Sequence, residues 1–400
     1  MEKITFVIPS RNNLEFLQLA YKSIRNLKTK HEILVLNDAS IDGTQEWINS
    51  LNDNDLIVYY NPGPERIGIV GMFDKGIEMA RTDIIMAFHA DMVASPDLDK
   101  HILKHLKKGT VVSATRIEPP LHPDGPEKVL MDFGSEVETF KYDEFCKWTT
   151  QPIDSTGGYQ PKHNILVTEG IFAPWCIYKD DFLAVGGHDK LFSPQSKEDS
   201  DLFNRFVLNG YKVVQTWEGL VYHFTSRGSR FNKHAGGSAG KDSNEWLYTT
   251  HKNSRNFVRK WGCYIKHDPL MKPIITPKYD IGIILKNSNI NVLATLEPWC
   301  NTIYVDEGNV PTMIKNYIAK EQPKTSFNLL ERVLPYDNEK QNHILVEIDG
   351  NNFTQQDFTL INQLSEIIQD NGELGEFELG NLKIGIYNLT TFEKELICVS

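Results

Sequence analysis

The N-terminal part of the chain alternates between short apolar blocks and stretches with helical spacing. Residues 4–8 (ITFVI) form an uninterrupted apolar run that ends at Pro9, as expected for a buried strand. Residues 14–27 repeat apolar side chains every three or four positions, which predicts a helix. The alternation continues, with strands predicted in 31–40 (HEILVLNDAS), 56–62 (LIVYYNP) and 83–91 (DIIMAFHAD), and helices in 41–51 and 68–81.

Strands that alternate with helices at this spacing predict a parallel, doubly wound sheet. In such sheets ligands bind beyond the carboxyl ends of the strands. Two polar groups of residues fall there: Asn37 and Asp38 after the second strand, and His89 and Asp91 after the fourth. The pattern therefore indicates that candidate chemistry lies at these strand ends.

Residues 108–170 interrupt the regular pattern. Their periodicity is weak and prolines lie close together, so we expect a loop-rich insertion or the start of an acceptor-binding half. Residues 171–217 become regular again, and 245–262 (EWLYTTHKNSRNFVRKWG) predict a helix with basic residues near its end.

The last part of the chain has a pattern of its own. Pro269, Pro273 and Pro277 indicate a linker, and the residues after it mix short apolar runs with one helical stretch. Strands are predicted in 279–287, 301–307, 343–350 and 382–389, and a helix in 357–370. The expected organisation is a domain at 1–265, a linker at 266–278 and a smaller α/β domain at 279–400.

Composition narrows the class of protein. A chain of 400 residues exceeds what one hydrophobic core usually supports, which agrees with two domains. The net charge of −11 disfavours nucleic acid as the main partner. Five cysteines without a CxxC pair argue against a zinc ribbon or a disulfide framework and fit a reducing compartment. No signal peptide is predicted and no apolar stretch approaches the roughly 18 residues of a membrane span, so we expect a cytoplasmic protein.

Two acidic motifs follow predicted strands. Asp38 and Asp42 can accept hydrogen bonds from a nucleobase or a ribose, or they can serve only as turn and N-cap residues. The segment His89-Ala90-Asp91 ends the fourth strand, where an Asp-x-Asp pair can hold Mg²⁺ or Mn²⁺ on nucleotide phosphates. Here a histidine replaces one carboxylate, and the alternative is that Asp91 merely caps the next segment.

Two further motifs lie later in the first domain. Glu198 and Asp199 open a helical stretch in 193–213, where acidic residues complement the helix dipole or provide a general base. His223 follows an apolar run and is either a metal ligand or a hydrogen-bonded residue at a strand end. The arginines that come after it can bind a diphosphate in a bidentate way, and these are Arg227 and Arg230.

The order of these motifs resembles that of the family 2 glycosyltransferases of GT-A fold. The resemblance covers about residues 3–262 and includes NDASIDGT, the strand end at Asp91, FLAVGGHDKLF, KEDSDLFNR, the strand-end histidine and NFVRKWG. It implies a GT-A α/β domain that transfers a sugar, with inversion, from a nucleotide-diphosphate sugar to an acceptor hydroxyl. UDP-sugars are the commonest donors in this family, and the expected acceptor is a glycan, a protein or a lipid-linked molecule.

The resemblance also implies roles for individual residues. Asp38 would bind the nucleoside. Asp91 would hold a Mn²⁺ or Mg²⁺ ion with help from His223. Asp199, next to Glu198, would be the general base. The other residues expected to bind the donor are Pro9, Ser10, Arg11, Asp42, Arg66, His89 and Ala90, and those expected at the diphosphate or the acceptor are Trp175, Arg227 and Arg230.

Two departures from the family pattern leave alternatives open. His89 replaces the first carboxylate of the Asp-x-Asp pair, and Asp74 stands where the family usually has asparagine. The alternative function is therefore a non-catalytic protein that binds nucleotide sugars or carbohydrates on a transferase scaffold. The C-terminal domain is expected to be a structural or dimerising module, which implies a homo-oligomer, or an acceptor-binding module. A small second enzyme is the remaining alternative.

Overall fold

The computed structural model describes residues 2–153, 155–308 and 312–397, and one of the five cysteines, Cys398, lies outside these ranges. The described chain forms two compact units. The first contains the residues up to 250 together with 267–273, and the second contains 251–266 together with 274–397. The expected domain limits at 265 and 279 stay a prediction.

One large sheet organises the first unit. Its strands are β1 (Ile4–Ser10), β2 (Glu32–Asp38), β3 (Leu56–Asn61), β4 (Ile84–Ala87), β5 (Met92–Ala94), β6 (Thr110–Glu118), β7 (Lys128–Leu130), β8 (Val167–Thr168), β9 (Trp175–Tyr178) and β10 (Lys212–His223). Their order is β3-β2-β1-β4-β9-β6-β10-β5, with β7 beside β6 and β8 beside β10. Strands β1 to β4 pair in parallel, whereas β9 is antiparallel to both β4 and β6.

Helices cover both faces of this sheet. They are α1 (Leu14–Arg25), α2 (Thr44–Ser50), α3 (Gly68–Met79), α4 (Leu98–Leu103), α5 (Tyr142–Thr150), α6 (Lys179–Ala184) and α7 (Glu198–Leu208), followed along the chain by α8 (Asn244–Trp261). Because side chains alternate along a strand, Ile4 and Phe6 of β1 join one apolar cluster with α1 and α4, while Val7 joins another with α3 and α7. Among the helices that the structure describes, none is long and apolar enough to cross a membrane.

The predictions for the first part of this unit are confirmed. Four strands and three helices appear where the hydrophobic pattern predicts them, as β1 to β4 and α1 to α3, and the helix predicted in 245–262 is α8. The sheet is mixed rather than wholly parallel, because β9 and β5 run against their neighbours. The α/β class is therefore as predicted, with a correction to strand direction.

The expectation of a loop-rich stretch from residue 108 is wrong for its first part. Strand β6 occupies the middle of the sheet, and all of its residues are buried. A strand that is buried on both faces lacks the alternation of apolar and polar residues by which a half-exposed strand is identified in a sequence. Its polar side chains form hydrogen bonds within the protein. For example, the Oγ1 hydroxyl of Thr115 donates a hydrogen bond to the carbonyl of Thr216 at 3.0 Å.

The second unit is a smaller α/β unit, as predicted. Its strands are β11 (Ile281–Lys286), β12 (Thr302–Val305), β13 (Val333–Pro335), β14 (Ile344–Asp349), β15 (Gly375–Leu379) and β16 (Leu382–Ile386), in the order β13-β12-β11-β14-β16-β15. The helix predicted in 357–370 is divided at Gln363. The helices are α9 (Ile290–Leu296), α10 (Met313–Glu321), α11 (Leu329–Arg332), α12 (Gln355–Asn362) and α13 (Leu364–Asn371).

Candidate active site

Two strand ends bring the histidine and acidic motifs together. After β4 the chain turns through His89 and Asp91 before β5 begins at Met92, and Ala90 between them is buried in the apolar core. Strand β5 runs antiparallel to the end of β10, with Met92 paired to His223. Residues that are far apart in the sequence are therefore neighbours at this edge of the sheet.

His89, Asp91 and His223 form a cluster of metal-ligating side chains. One ligand atom from each lies within 4.8 Å of the other two, and Nε2 of His223 is 3.7 Å from Oδ1 of Asp91. Asp91 and His223 are buried, whereas His89 is partly exposed. Two imidazole nitrogens and one carboxylate oxygen suit a divalent ion and leave coordination positions for substrate oxygens. The residues present therefore fit a metal site.

Glu118, at the end of β6, orients His223. Nδ1 of His223 lies 2.8 Å from Oε1 of Glu118. Burial alone would raise the pKa of Glu118, but Arg116, His223 and Lys128 outweigh it and hold that pKa far below its usual range. An ionised carboxylate can only accept hydrogen bonds, so Nδ1 carries a proton. Nε2 lies on the side of Asp91 and is also 3.4 Å from the backbone N–H of Ser226.

Sequence reasoning missed Glu118. It falls in the stretch expected to form loops, where the sequence pattern predicts no strand end. A signal was nevertheless present, because TVVSATRIE is rich in the β-branched residues that favour strands and ends in an acidic residue. Asp38 ends its strand in the same way. Treating residues 110–118 as a strand would have added Glu118 to the candidates.

The backbone around the cluster holds Asp91 and His89. Oδ2 of Asp91 accepts a hydrogen bond from the backbone N–H of Arg227 at 2.5 Å, and its carbonyl accepts one from Phe224 at 3.0 Å. The carbonyl of His89 accepts the N–H of Met92 at 3.1 Å, which closes the turn. Burial lowers the pKa of His89, so its imidazole is neutral at pH 7 and can offer a lone pair to a metal ion.

Glu198 and Asp199 begin α7. Two residues with left-handed backbone precede them, Ser196 with φ 78° and Lys197 with φ 76°. Burial, together with the charge of Asp199, raises the pKa of Glu198 to about 8, so Glu198 is protonated at pH 7. Oε2 of Glu198 has no hydrogen-bond partner in the described part of the chain. Asp199 is partly exposed, and its negative charge is near enough to the imidazole of His89 to favour the protonated ring, against the larger effect of burial on that pKa.

Asp38 and Asp42, which are expected to bind the donor, hold loops at the ends of β1, β2 and β3. Oδ1 of Asp38 accepts the N–H of Ile67 and Oδ2 accepts that of Gly68, both at 2.8 Å, which fixes the start of α3. Oδ2 of Asp42 accepts the N–H of Leu14 at 2.9 Å, at the start of α1. Turn and cap geometry, one of the two interpretations of this motif, is therefore present. The nucleoside contact of Asp38 stays a prediction.

A small cleft of about 50 Å³, partly open to solvent, is lined by residues that include Arg11 and Arg66. Arg66 forms an ion pair with Glu245, and burial lowers its pKa, an effect to which the charge of Arg11 contributes. Pro9 and Ser10 end β1 just before Arg11, and the hydroxyl of Ser10 is buried without a hydrogen-bond partner in the described ranges. The cleft thus collects cationic and polar groups suited to an anionic ligand.

The three residues expected at the diphosphate or the acceptor have other contacts in the structure. Trp175 is 1% exposed and packs among aromatic side chains, so its ring is part of the core. The guanidinium of Arg227 is buried and lies 3.1 Å from Oε1 of Glu136. Arg230 is paired with Asp242. The contact of Arg227 with Asp91 is made by its backbone.

Comparison with known proteins identifies relatives of the N-terminal part. Residues 5–157 match the family model described as glycosyl transferase family 2. Over 120 residues the chain is 27% identical to poly-beta-1,6-N-acetyl-D-glucosamine synthase of Staphylococcus aureus (strain COL), which covers 30% of this chain and 29% of that protein. It is 24% identical to undecaprenyl-phosphate mannosyltransferase of Micrococcus luteus, which covers 29% of this chain and 49% of that one. The chain therefore spans less than half of the length of these curated relatives.

Solved structures also resemble part of the chain. GalNAc-T7 with UDP, GalNAc and Mn²⁺ aligns with a TM-score of 0.41 and 12% identity, covering 56% of this chain and 44% of that one. The mannosyltransferase PcManGT from Pyrobaculum calidifontis, in complex with GDP-Man and Mn²⁺, aligns with a TM-score of 0.38 and 16% identity, covering 55% and 56%.

Proposed function

We propose that the protein transfers a sugar from a nucleotide-diphosphate sugar to an acceptor hydroxyl. Residues 5–157 belong to glycosyl transferase family 2, as the order of the motifs predicted. The observation that carries this proposal is the cluster formed by His89, Asp91 and His223, whose member His89 is within range of the charge of Asp199. A UDP-sugar is the proposed donor, since UDP-sugars are the commonest donors in the family.

The donor would lie along the carboxyl edge of the large sheet. Asp91 and His223 would hold a Mn²⁺ or Mg²⁺ ion, which when bound would neutralise the charge that develops on the leaving diphosphate. Arg11 and Arg66 line the neighbouring cleft and would attract the anionic donor. Asp38 anchors the loop that begins α3 and is the proposed nucleoside contact.

Asp199 is the proposed general base. It would take the proton of the acceptor hydroxyl while that oxygen attacks the anomeric carbon from the face opposite the diphosphate. The new bond from carbon to oxygen forms as the bond to the diphosphate oxygen breaks, so a single displacement inverts the configuration. Glu198, with its pKa raised to about 8, stays neutral at pH 7 and adds no second charge beside the base.

The variant Asp199→Asn tests this assignment. We expect the release of free nucleotide diphosphate to fall by about 10²–10⁴-fold, because a general base typically contributes that much. Donor affinity, measured by calorimetry, should stay close to the wild-type value. Asp180→Asn is the matched control, since Asp180 is a largely exposed carboxylate in the same unit, and it should leave both quantities unchanged.

Two results would contradict the proposal in different ways. A donor affinity that falls in parallel with the activity of Asp199→Asn would show that Asp199 binds the donor rather than the acceptor proton. Wild-type protein that binds nucleotide sugars but releases no nucleotide diphosphate, with a panel of acceptors and Mn²⁺, would instead favour the non-catalytic alternative.

The setting of the reaction is part of the same proposal. We propose that the protein acts in the cytoplasm on a glycan, a protein or a lipid-linked acceptor. The four cysteines among the described residues are free thiols, in keeping with a reducing compartment. The second unit is proposed to dimerise the chain or to bind the acceptor, and light scattering of the intact protein would distinguish a homo-oligomer from a monomer.

A further inference from the structure

A histidine takes the place of a carboxylate in the metal cluster of this chain. The segment His89-Ala90-Asp91 replaces the Asp-x-Asp pattern, and a ring nitrogen of His89 lies within 4.8 Å of the ligand atoms of Asp91 and His223. A carboxylate at position 89 would add a second oxygen donor, whereas imidazole adds a second nitrogen. The donor set is thus two nitrogens and one oxygen.

Neighbouring groups hold each of these three side chains. Glu118 holds His223 from 2.8 Å, and the backbone N–H of Arg227 holds Asp91 from 2.5 Å. The ring of His89 lies between two others, with its centroid 6.0 Å from that of Phe73 and 6.3 Å from that of His223. The hydrogen bond to Glu118 fixes the tautomer and ring orientation of His223, as such bonds do around established metal centres, whereas the ring contacts of His89 limit only its position.

We propose that His89 is a protein ligand of the metal ion and that the two-histidine, one-carboxylate set selects first-row transition ions over Mg²⁺. This inference rests on the proposed function, because the same ion would serve the donor diphosphate. Mg²⁺ prefers six oxygen ligands in near-ideal octahedral geometry, whereas imidazole suits the transition metals. Two histidines and a carboxylate with open positions are also the ligands of non-haem iron(II) sites.

Metal binding to the intact wild-type protein is the first measurement. Calorimetric titrations with Co²⁺ and, separately, with Mg²⁺, each in the presence of inorganic pyrophosphate, give two dissociation constants. Co²⁺ is the better probe because nitrogen ligands bind it more strongly than they bind Mn²⁺. We expect Co²⁺ to bind at least about 100-fold more tightly than Mg²⁺.

Changes at position 89 then test the ligand itself. His89→Asp should lower the ratio of Co²⁺ to Mg²⁺ affinity by about tenfold or more, because it exchanges a nitrogen donor for an oxygen donor. His89→Ala should weaken Co²⁺ binding by about tenfold and change Mg²⁺ binding much less. His101→Ala is the matched control, since His101 is also a partly buried histidine of the first unit and contacts none of the three proposed ligands.

A spectroscopic count of ligands requires no variant. Pulsed electron paramagnetic resonance of the wild-type Mn²⁺ complex detects directly bound imidazole nitrogens. Two bound nitrogens are expected from His89 and His223, and a single one would overturn the proposal even if the variants at position 89 failed to fold.

The outcomes also separate this inference from the proposed function. If the affinity ratio is unchanged in both variants at position 89 while Asp91→Asn abolishes metal binding, His89 is not a ligand but the metal-assisted function stands. If wild-type protein binds neither ion with pyrophosphate, the inference fails and the metal-assisted part of the function fails with it.

Discussion

Two buried carboxylates, one in each unit, have opposite surroundings. Glu297 of the second unit is fully buried and accepts hydrogen bonds from Arg259 at 2.7 Å, from Tyr317 at 2.8 Å and from Arg332 at 3.1 Å. Burial alone would raise its pKa, but these partners outweigh burial and lower it. Glu198 of the first unit is also buried, yet its Oε2 lacks a partner in the described ranges, and its pKa is raised to about 8.

The difference separates an ionised carboxylate that stabilises the fold from a neutral carboxyl group at the candidate active site. A buried carboxylate with a full set of cationic partners stabilises the arrangement of the elements that supply them. A buried carboxyl group without such partners costs stability, and groups of that kind with shifted pKa values concentrate at functional sites. Four substitutions test this contrast between Glu297 and the residues at the candidate active site.

The largest effect is expected from Asp91→Asn. The amide can still accept the N–H of Arg227, so the fold should be preserved. The ion would lose its carboxylate ligand, and the metal-dependent release of nucleotide diphosphate should fall by about 10³-fold, equivalent to several kcal/mol of charge stabilisation. Activity assays with Mn²⁺, alongside thermal unfolding, check both parts. Activity within tenfold of wild type would mean that Asp91 is not the principal ligand.

Glu297→Gln should destabilise the second unit by about 3–5 kcal/mol, because three arginines lose the anion that they share and only two of them, Arg255 and Arg259, keep a second one in Glu321. Denaturant unfolding followed by a probe in that unit measures the change. Glu347→Gln is the matched control, since Glu347 pairs with Lys286 at 2.7 Å in a partly exposed position. Its effect should stay within about 1 kcal/mol. Equal losses of unfolding free energy in the two variants would show that Glu297 contributes no more to stability than a partly exposed ion pair does.

Glu118→Gln should weaken metal binding by about 10–100-fold, the usual cost of losing a carboxylate that orients a ligating histidine. Mn²⁺ titration followed by electron paramagnetic resonance gives the affinity. Glu127→Gln is the control, because Glu127 bonds Arg116 at 2.7 Å and has no hydrogen bond to His223. A Glu118→Gln protein with wild-type affinity would assign Glu118 to the fold alone.

The smallest effect concerns the pH dependence of stability. The folded-state pKa of Glu198 is about 8, above the unfolded value, so the folded protein binds this proton more strongly. Its contribution to the free energy of unfolding is therefore present at low pH and is lost as pH rises through about 8. Glu198→Gln should remove this loss, so the stability of the variant relative to wild type should increase from about pH 5 to pH 8 and then stay constant. Urea unfolding at several pH values measures this, and parallel profiles would contradict it.

The predictions from sequence succeeded where the signal is local. Strands β1 to β4 are short apolar runs bounded by turn residues, and helices α1 to α3 have clear helical spacing. The convergence of Asp91 and His223 followed from their positions at strand ends and from the order of the motifs. Fold class and the core of the candidate site could thus be predicted.

The features that the sequence did not predict share a physical cause: each depends on residues that are distant in the sequence. Glu118 was missed because β6 is buried on both faces and its charges are neutralised by Arg116 and Lys128. The contact of His89 with the cluster depends on the pairing of β5 with β10, which no local periodicity encodes. Strand β15 was not predicted, because nearly all of its residues are exposed and it therefore lacks a buried apolar run.

The pairing of β5 with β10 also determines where the chain can be divided. The segment that matches the family model ends at 157, so a fragment of that length would contain His89 and Asp91 without His223 or α7. An ion that joins Asp91 to His223 would connect residues far apart in the chain and, because the site exists only in the folded state, would stabilise that state by mass action. A chelator should then lower the unfolding temperature of the intact protein, and a fragment that ends at 157 should show no such change.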